Sequence, residues 1–277
     1  MALPAVNIVR SDESLSLQKK LMKKANYIFD LAGVKGLRFC AEKKHLMKLK
    51  QNIKSSKPGI TFLGPGDFHH LSINFIERIN PKPVLVLFDH HSDMLGSPEG
   101  YITCGSWVAQ TLGEGKVKKC IVIGVSSSDE ALLKSPTEGK ATFIPEDLPH
   151  EKKVSAIAEE LTKTGGPVYV SIDKDVLSKE DAATNWDQGL MSLEELLDLI
   201  EVIGEIVPIA GADVCGEWRV PDDLVFLSGE DVEKAGLNEE ANLRILEKLL
   251  KVWQKGKKNG KISLYKNPTE GGYIDGI

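Results

Sequence analysis

Val84-Leu85-Val86-Leu87-Phe88 runs directly into Asp89-His90-His91-Ser92-Asp93. Five consecutive apolar residues, β-branched and aromatic among them, fit a central strand covered on both faces. Similar apolar runs recur at residues 60–63, 120–125, 168–172 and 206–214, the last weakened by Pro208. Between and around them the apolar spacing is helical. The helical stretches expected are residues 14–31, 43–53, 71–79, 106–112, 152–162, 192–203 and 238–254. Ser192, three residues before Glu195, fits a helix N-cap. Strands alternating with helices imply crossover connections, a mostly parallel sheet and helices on both of its faces. The 277 residues are read as one α/β domain over residues 1–277.

In such sheets ligands bind beyond the carboxyl ends of the strands. The chemically versatile side chains fall there. Asp89, His91 and Asp93 follow one apolar run, and Asp173-Lys174-Asp175 follows another. Gly66-Asp67-Phe68-His69-His70 follows a third. These segments hold four of the six histidines, with His45 and His150 expected on the surface. In extended backbone, residues two apart point to one side. Asp89, His91 and Asp93 can therefore converge, as can Asp173 and Asp175. Four buried carboxylates are costly to hold together unless cations neutralise them. Two divalent ions balance the four charges, with one histidine for each ion. Carboxylate-rich sites with a single imidazole per ion suit Mn²⁺ best, with Fe²⁺, Co²⁺ or Ni²⁺ behind it. No cysteine falls in these segments, which argues against a soft-metal site.

The bulk composition narrows the rest. A formal charge of -5 and a pI near 5.8 give no general attraction for nucleic acid or anionic membrane. The lysines of residues 43–57 and 251–258 read as solvated helix faces. No apolar stretch reaches the roughly 20 residues of a membrane span, and residues 1–10 do not make a signal peptide. A cytoplasmic protein is expected. Cys40, Cys104, Cys120 and Cys215 form no C-x-x-C pair, and Cys120 is expected as a buried thiol.

Asp89-x-His91-x-Asp93 after one strand, Ser171-x-Asp173-x-Asp175 after a later one, and a Gly-Asp-His element upstream resemble the arginase (ureohydrolase) family. That family includes arginase, agmatinase and formiminoglutamase. The resemblance covers about residues 60–217. It implies a three-layer α/β/α sandwich and a hydrolase cleaving a linear C–N bond of a guanidino, amidino or formimino compound. It implies that Asp89 and Asp173 bridge two metals. Asp93 and an upstream histidine, His69 in preference to His70, would complete one ion, and His91 and Asp175 the other. It also implies a small cationic, nitrogen-rich substrate, and it carries the expectation of a homo-oligomer. Asp93 is then the candidate general acid and Glu217 the carboxylate that grips the substrate's positive charge. Trp107, Trp186 and Trp218 are candidates to line the pocket by stacking on a planar cation.

Two departures touch the substrate side of this resemblance. Gly216 stands where the family places its substrate glutamate, with Glu217 one residue late. Thr103-Cys104-Gly105-Ser106-Trp107 lacks the histidine usual in that segment. Two other readings therefore compete with the dinuclear hydrolase. One is a histone-deacetylase-type amide hydrolase holding a single zinc. The other is a non-catalytic metal-binding homologue.

Overall fold

The structure is a computed structural model that describes residues 3–53, 56–130, 132 and 139–258. Lys54, inside one of the lysine clusters, lies outside them. The strands are β1 (Ala5–Arg10), β2 (Tyr27–Asp30), β3 (Cys40–Glu42), β4 (Gly59–Phe62), β5 (Val84–Phe88), β6 (Tyr101–Thr103), β7 (Cys120–Val125), β8 (Ala141–Pro145), β9 (Val168–Asp173) and β10 (Ile209–Cys215). The helices are α1 (Lys19–Met22), α2 (Lys43–Ile53), α3 (Ile73–Ile76), α4 (Trp107–Gly113), α5 (His150–Thr164), α6 (Leu193–Ile206) and α7 (Gly229–Lys258). Among the described residues, no helix is long and apolar enough to cross a membrane.

Eight strands form one sheet in the order β2-β1-β4-β10-β9-β5-β7-β8, and every pairing in it is parallel. Side chains alternate across it. Val84, Val86 and Phe88 face the layer of α5, α6 and α7, among Ile157, Leu196, Ile200 and Leu249. Leu85 and Leu87 face the layer of α2, α3 and α4, among Leu46, Ile76, Trp107 and Leu112. This is the three-layer α/β/α sandwich expected. Each fully buried aliphatic side chain contributes roughly 1.5–3 kcal/mol. Both faces are apolar for that reason, and the central strands read as unbroken runs.

The N-terminal third differs from the sequence reading. Residues 14–31 were expected as one helix. They form a short 3₁₀ turn at Leu15–Leu17, a single turn of α1, and then β2. Along β2, Tyr27 and Phe29 are half-buried and Ile28 and Asp30 exposed, the alternation of an edge strand. Pairing with β1 outweighs the local helical spacing. β1 itself is interrupted by Asn7, which is buried and donates to Thr61 Oγ1 at 3.3 Å. Within residues 71–79 a 3₁₀ turn leads into a single turn of α-helix, α3. The antiparallel pair β3–β6 stands apart from the main sheet. It carries Phe39 and Cys40 on one side and Thr103 and Cys104 on the other to the rim of a pocket.

Register sets the site. Phe88 is level with Ile172, and Cys215 with Asp173. Asp89, Asp173 and Cys215 therefore leave the sheet at one height, at the ends of three adjacent strands. β4 delivers His69 beside them through the 3₁₀ turn Gly66–Ser72. The sheet's order reverses around these strands, the position at which open α/β sheets bind ligands.

Candidate metal centre

The six expected ligands converge. His69 Nδ1 lies 3.3 Å from Asp89 Oδ2, 3.1 Å from Asp93 Oδ2 and 3.6 Å from Asp173 Oδ2. His91 Nδ1 lies 3.0 Å from Asp175 Oδ2 and 3.6 Å from Asp89 Oδ1. Donor atoms of His69, Asp89 and Asp93 fall within 4.8 Å of one another, as do those of Asp89, His91 and Asp175. Asp89 is common to both groups, one oxygen turned to each histidine. Asp173 behaves differently from the expectation of a second bridge. Its Oδ1 accepts the Asp175 amide at 3.0 Å, and its Oδ2 faces His69 alone of the two histidines.

Neighbouring groups hold the ligands in place. Ser171 Oγ donates to Asp213 Oδ1 at 2.6 Å, and Tyr169 donates to Asp213 Oδ2 at 2.7 Å. The hydroxyl proton of Ser171 is thereby committed. Ser171 can then only accept from His69 Nε2, 2.9 Å away. His69 carries its proton on Nε2 and turns Nδ1 toward the carboxylates. On the other side Trp107 Nε1 donates to Asp93 Oδ2 at 2.6 Å, while its ring packs 4.9 Å from the His69 ring. Asp93 itself sits in the left-handed region, with φ +52°. Aspartate tolerates that conformation better than most residues. It turns the Asp93 carboxylate back toward His69.

The electrostatics call for cations. Burial, then the neighbouring Asp175, pushes Asp173 up to about 6. Burial, then Asp89, pushes Asp175 up to about 6. Asp89 is raised by burial and by Asp93, and Asp93 chiefly by burial. Burial opposes charge on His91, but its hydrogen bonds to Asp175 and Asp89 win and hold it up near 12. An Nδ1 facing three carboxylates, with its Nε2 already engaged, needs either a proton or a metal ion. Divalent cations satisfy both histidines and all four carboxylates, so the donor set fits a pair of ions. One earlier expectation changes. Cys215 Sγ lies 3.1 Å from Asp173 Oδ2, and His69, Asp173 and Cys215 form a third group of donors within 4.8 Å. Sulfur is part of the cluster after all.

The ligands open onto a pocket of about 530 Å³ whose wall includes Phe39, Leu95, Asp129, Glu130 and Trp186. A profile of the Arginase family matches residues 45–216. The chain belongs to the arginase family. An uncharacterised protein of Thermotoga maritima is 32% identical over 238 residues, which cover 86% of this chain and 89% of that protein. Formimidoylglutamase of Bacillus subtilis superposes with a TM-score of 0.63 at 16% identity, over 89% of this chain and 87% of its own. For agmatine ureohydrolase of Thermoplasma volcanium the TM-score is 0.63 at 15% identity, over 92% and 91%. For proclavaminate amidino hydrolase of Streptomyces clavuligerus it is 0.64 at 16% identity, over 91% and 93%. At these identities the superpositions speak for the fold.

Within the arginase-family frame, three expected substrate contacts are revised. Glu217 does not reach the pocket. It is buried, taking Lys174 Nζ at 2.5 Å and Asn242 Nδ2 at 2.6 Å on Oε1, and Gln18 Nε2 at 2.6 Å on Oε2. Gly216 cannot substitute for it. With φ +84°, a Cβ there would lie 2.4 Å from Asp173 Oδ1. Trp107 is fully buried behind Asp93, so it steadies that carboxylate and does not line the pocket. Trp218 turns away, donating to Asp231 Oδ1 at 2.8 Å under the Lys234 ammonium. Trp186 does line the pocket, 37% exposed, anchored by its Nε1 to Asp67 Oδ1 at 3.1 Å. Its ring stands edge-on to His91 and Phe39, at 5.8 and 6.2 Å between centroids.

His70 is fully buried, and burial followed by the charge of His69 pushes it down to about 3, so it stays neutral. Thr103, Cys104 and Gly105 reach the pocket wall without an imidazole. Burial, then the Asp93 charge, raises the Cys104 thiol to about 12, so it carries no proton traffic near neutrality. The roles of Ser171, Asp213, Cys215, Asp129 and Glu130 were not read from the sequence. Ser171 and Cys215 could have been found from strand parity. Each lies an even number of residues from a ligand, or level with one across the sheet.

Proposed function

We propose that this chain is a dinuclear-metal hydrolase cleaving a C–N bond in a small, linear, cationic guanidino, amidino or formimino compound. The observation that carries this reading is the pair of histidine–carboxylate groups sharing Asp89 at the floor of an acid-walled pocket. His69, Asp93, Asp173 and Asp89 would hold one ion, and Asp89, His91 and Asp175 the other, with Mn²⁺ the metal expected for these carboxylate and imidazole donors. When bound, two such ions supply the Lewis acidity that makes water a nucleophile near neutral pH.

The chain's own residues do the rest. The carbon under attack is flanked by nitrogens, and the departing amine needs a proton. Asp93 is the carboxylate that collects and delivers it at Oδ2, held in position by Trp107. Glu217 is buried away from the pocket, and the substrate's positive charge would face Asp129, whose Oδ2 also accepts the Ser92 amide at 2.9 Å, and Glu130 at the pocket wall. The Trp186 face orients the planar group. A pocket of about 530 Å³ is of the size that takes a small molecule.

The test combines metal content with product release. Reconstituted protein should hold two Mn²⁺ per chain and release urea or ammonia from at least one member of a guanidino, ureido and formimino panel. One Zn²⁺ per chain with no second ion of any kind would favour the deacetylase-type reading. Two ions with no product from any compound would leave a metal-binding homologue, a reading that the withdrawn Glu217 and the glycine before it would then explain.

A further inference from the structure

Cys215 is the one donor in the centre that the proposed reaction does not use. It ends β10, level with Asp173 on β9, and parallel neighbours in register point to the same face. Its Sγ lies 3.1 Å from Asp173 Oδ2, and all three members of the His69, Asp173, Cys215 group are buried. Donor atoms bonded to one ion at about 2.0 and 2.3 Å lie roughly 3 to 4 Å apart. The Sγ–Oδ2 distance of 3.1 Å and the Oδ2–Nδ1 distance of 3.6 Å fall in that range, and all three donors lie within 4.8 Å of one another. The tight turn at Gly216, whose missing Cβ leaves room for Asp173, holds the thiol beneath the carboxylate.

We infer that Cys215 is a sulfur ligand of the ion held by His69, Asp93 and Asp173, and that this position prefers zinc, cobalt(II) or iron(II) to manganese. This inference rests on the two-ion reading and makes the two positions chemically unequal. The thiol donates to Asp173 Oδ2, the same oxygen that faces His69 Nδ1. A cation arriving between those atoms competes with the thiol proton for that oxygen. With an ion bound there, Cys215 would give up its proton to solvent and offer the sulfur electron pair to the ion. The softer donor shifts preference along the metal series. The other group, Asp89, His91 and Asp175, contains no sulfur and keeps its preference for a hard cation.

The experiment loads metal-free protein with cobalt(II) alone and records its near-ultraviolet spectrum and metal content. Two cobalt ions per chain with a thiolate-to-cobalt charge-transfer band are expected. The band should persist in Cys104→Ser and vanish in Cys215→Ser. In zinc–manganese competition, Cys215→Ser should lose about tenfold in zinc preference at one position. If wild-type protein binds two cobalt ions without the band, the thiol is only a hydrogen-bond donor to Asp173 and the inference fails, whether or not the variant folds. If it binds no cobalt, the two-ion reading fails, and the inference with it.

Discussion

Trp107 and Glu217 were both expected to touch substrate, and both act from behind the site. The Trp107 ring packs on His69 while its N–H steadies Asp93. Trp107→Phe keeps an aromatic ring, removes the N–H donor and leaves a cavity where the larger indole was buried. Groups that orient metal ligands typically affect affinity 10- to 100-fold. Chelator competition should show a loss in that range together with a lower melting temperature, and unchanged affinity would remove Trp107 from the ligand support. Glu217 neutralises Lys174, an ammonium with no solvent exposure. Glu217→Ala leaves that charge buried and alone, at a cost of about 3–5 kcal/mol. Denaturant unfolding should register it. A substrate-gripping Glu217 would instead leave stability intact and raise KM. The convergence of these side chains was legible because a two-residue period at a strand end places carboxylates and imidazoles on one side whatever surrounds them. Glu217 was not, because its partners Gln18 and Asn242 are 199 and 25 residues away. Nothing local distinguishes a carboxylate turned to the pocket from one turned to a buried lysine.

Among the elements, β4, β5, β7 and β9 were legible because strands covered on both faces are apolar at most positions, with Thr61 and Ser171 among the buried polar exceptions. β1, β2 and β8 lie toward the sheet's two margins. There burial is incomplete, or polar residues such as Asn7 are satisfied across strands, so the pattern breaks up. α6 was legible from its cap. Ser192 Oγ accepts the Glu195 amide at 3.1 Å, as expected. The reciprocal half of that box is absent, because the Glu195 carboxylate takes Lys153 Nζ at 2.9 Å. Ser192→Ala should therefore lower stability by about 1 kcal/mol and leave metal content unchanged. Metal loss in that variant would mean that α6 positions the centre more directly than its cap suggests.

For the whole molecule, metal binding and folding are linked through protons. Asp173 and Asp175 are held near 6 in the folded, metal-free chain, against an ordinary 3.8. Between those values the folded state binds more protons than the unfolded state. The contribution of these two groups to stability is therefore present at low pH and lost as pH rises through about 6. Divalent ions must displace the same protons. The rise in melting temperature on adding metal should be small at pH 5 and grow toward pH 7.5. A rise independent of pH would mean that ions bind away from these carboxylates.

The position of β10 has a consequence for biosynthesis. Among the described residues it is the last strand in the chain, yet it lies between β4 and β9 and bonds to both. Until residue 215 has left the ribosome, the nascent chain has an open seam down the middle of its sheet, and His69 has no finished wall to meet. The wall that β10 gives to this pocket can form only after β10 has emerged, although all six carboxylate and imidazole groups precede it in the chain.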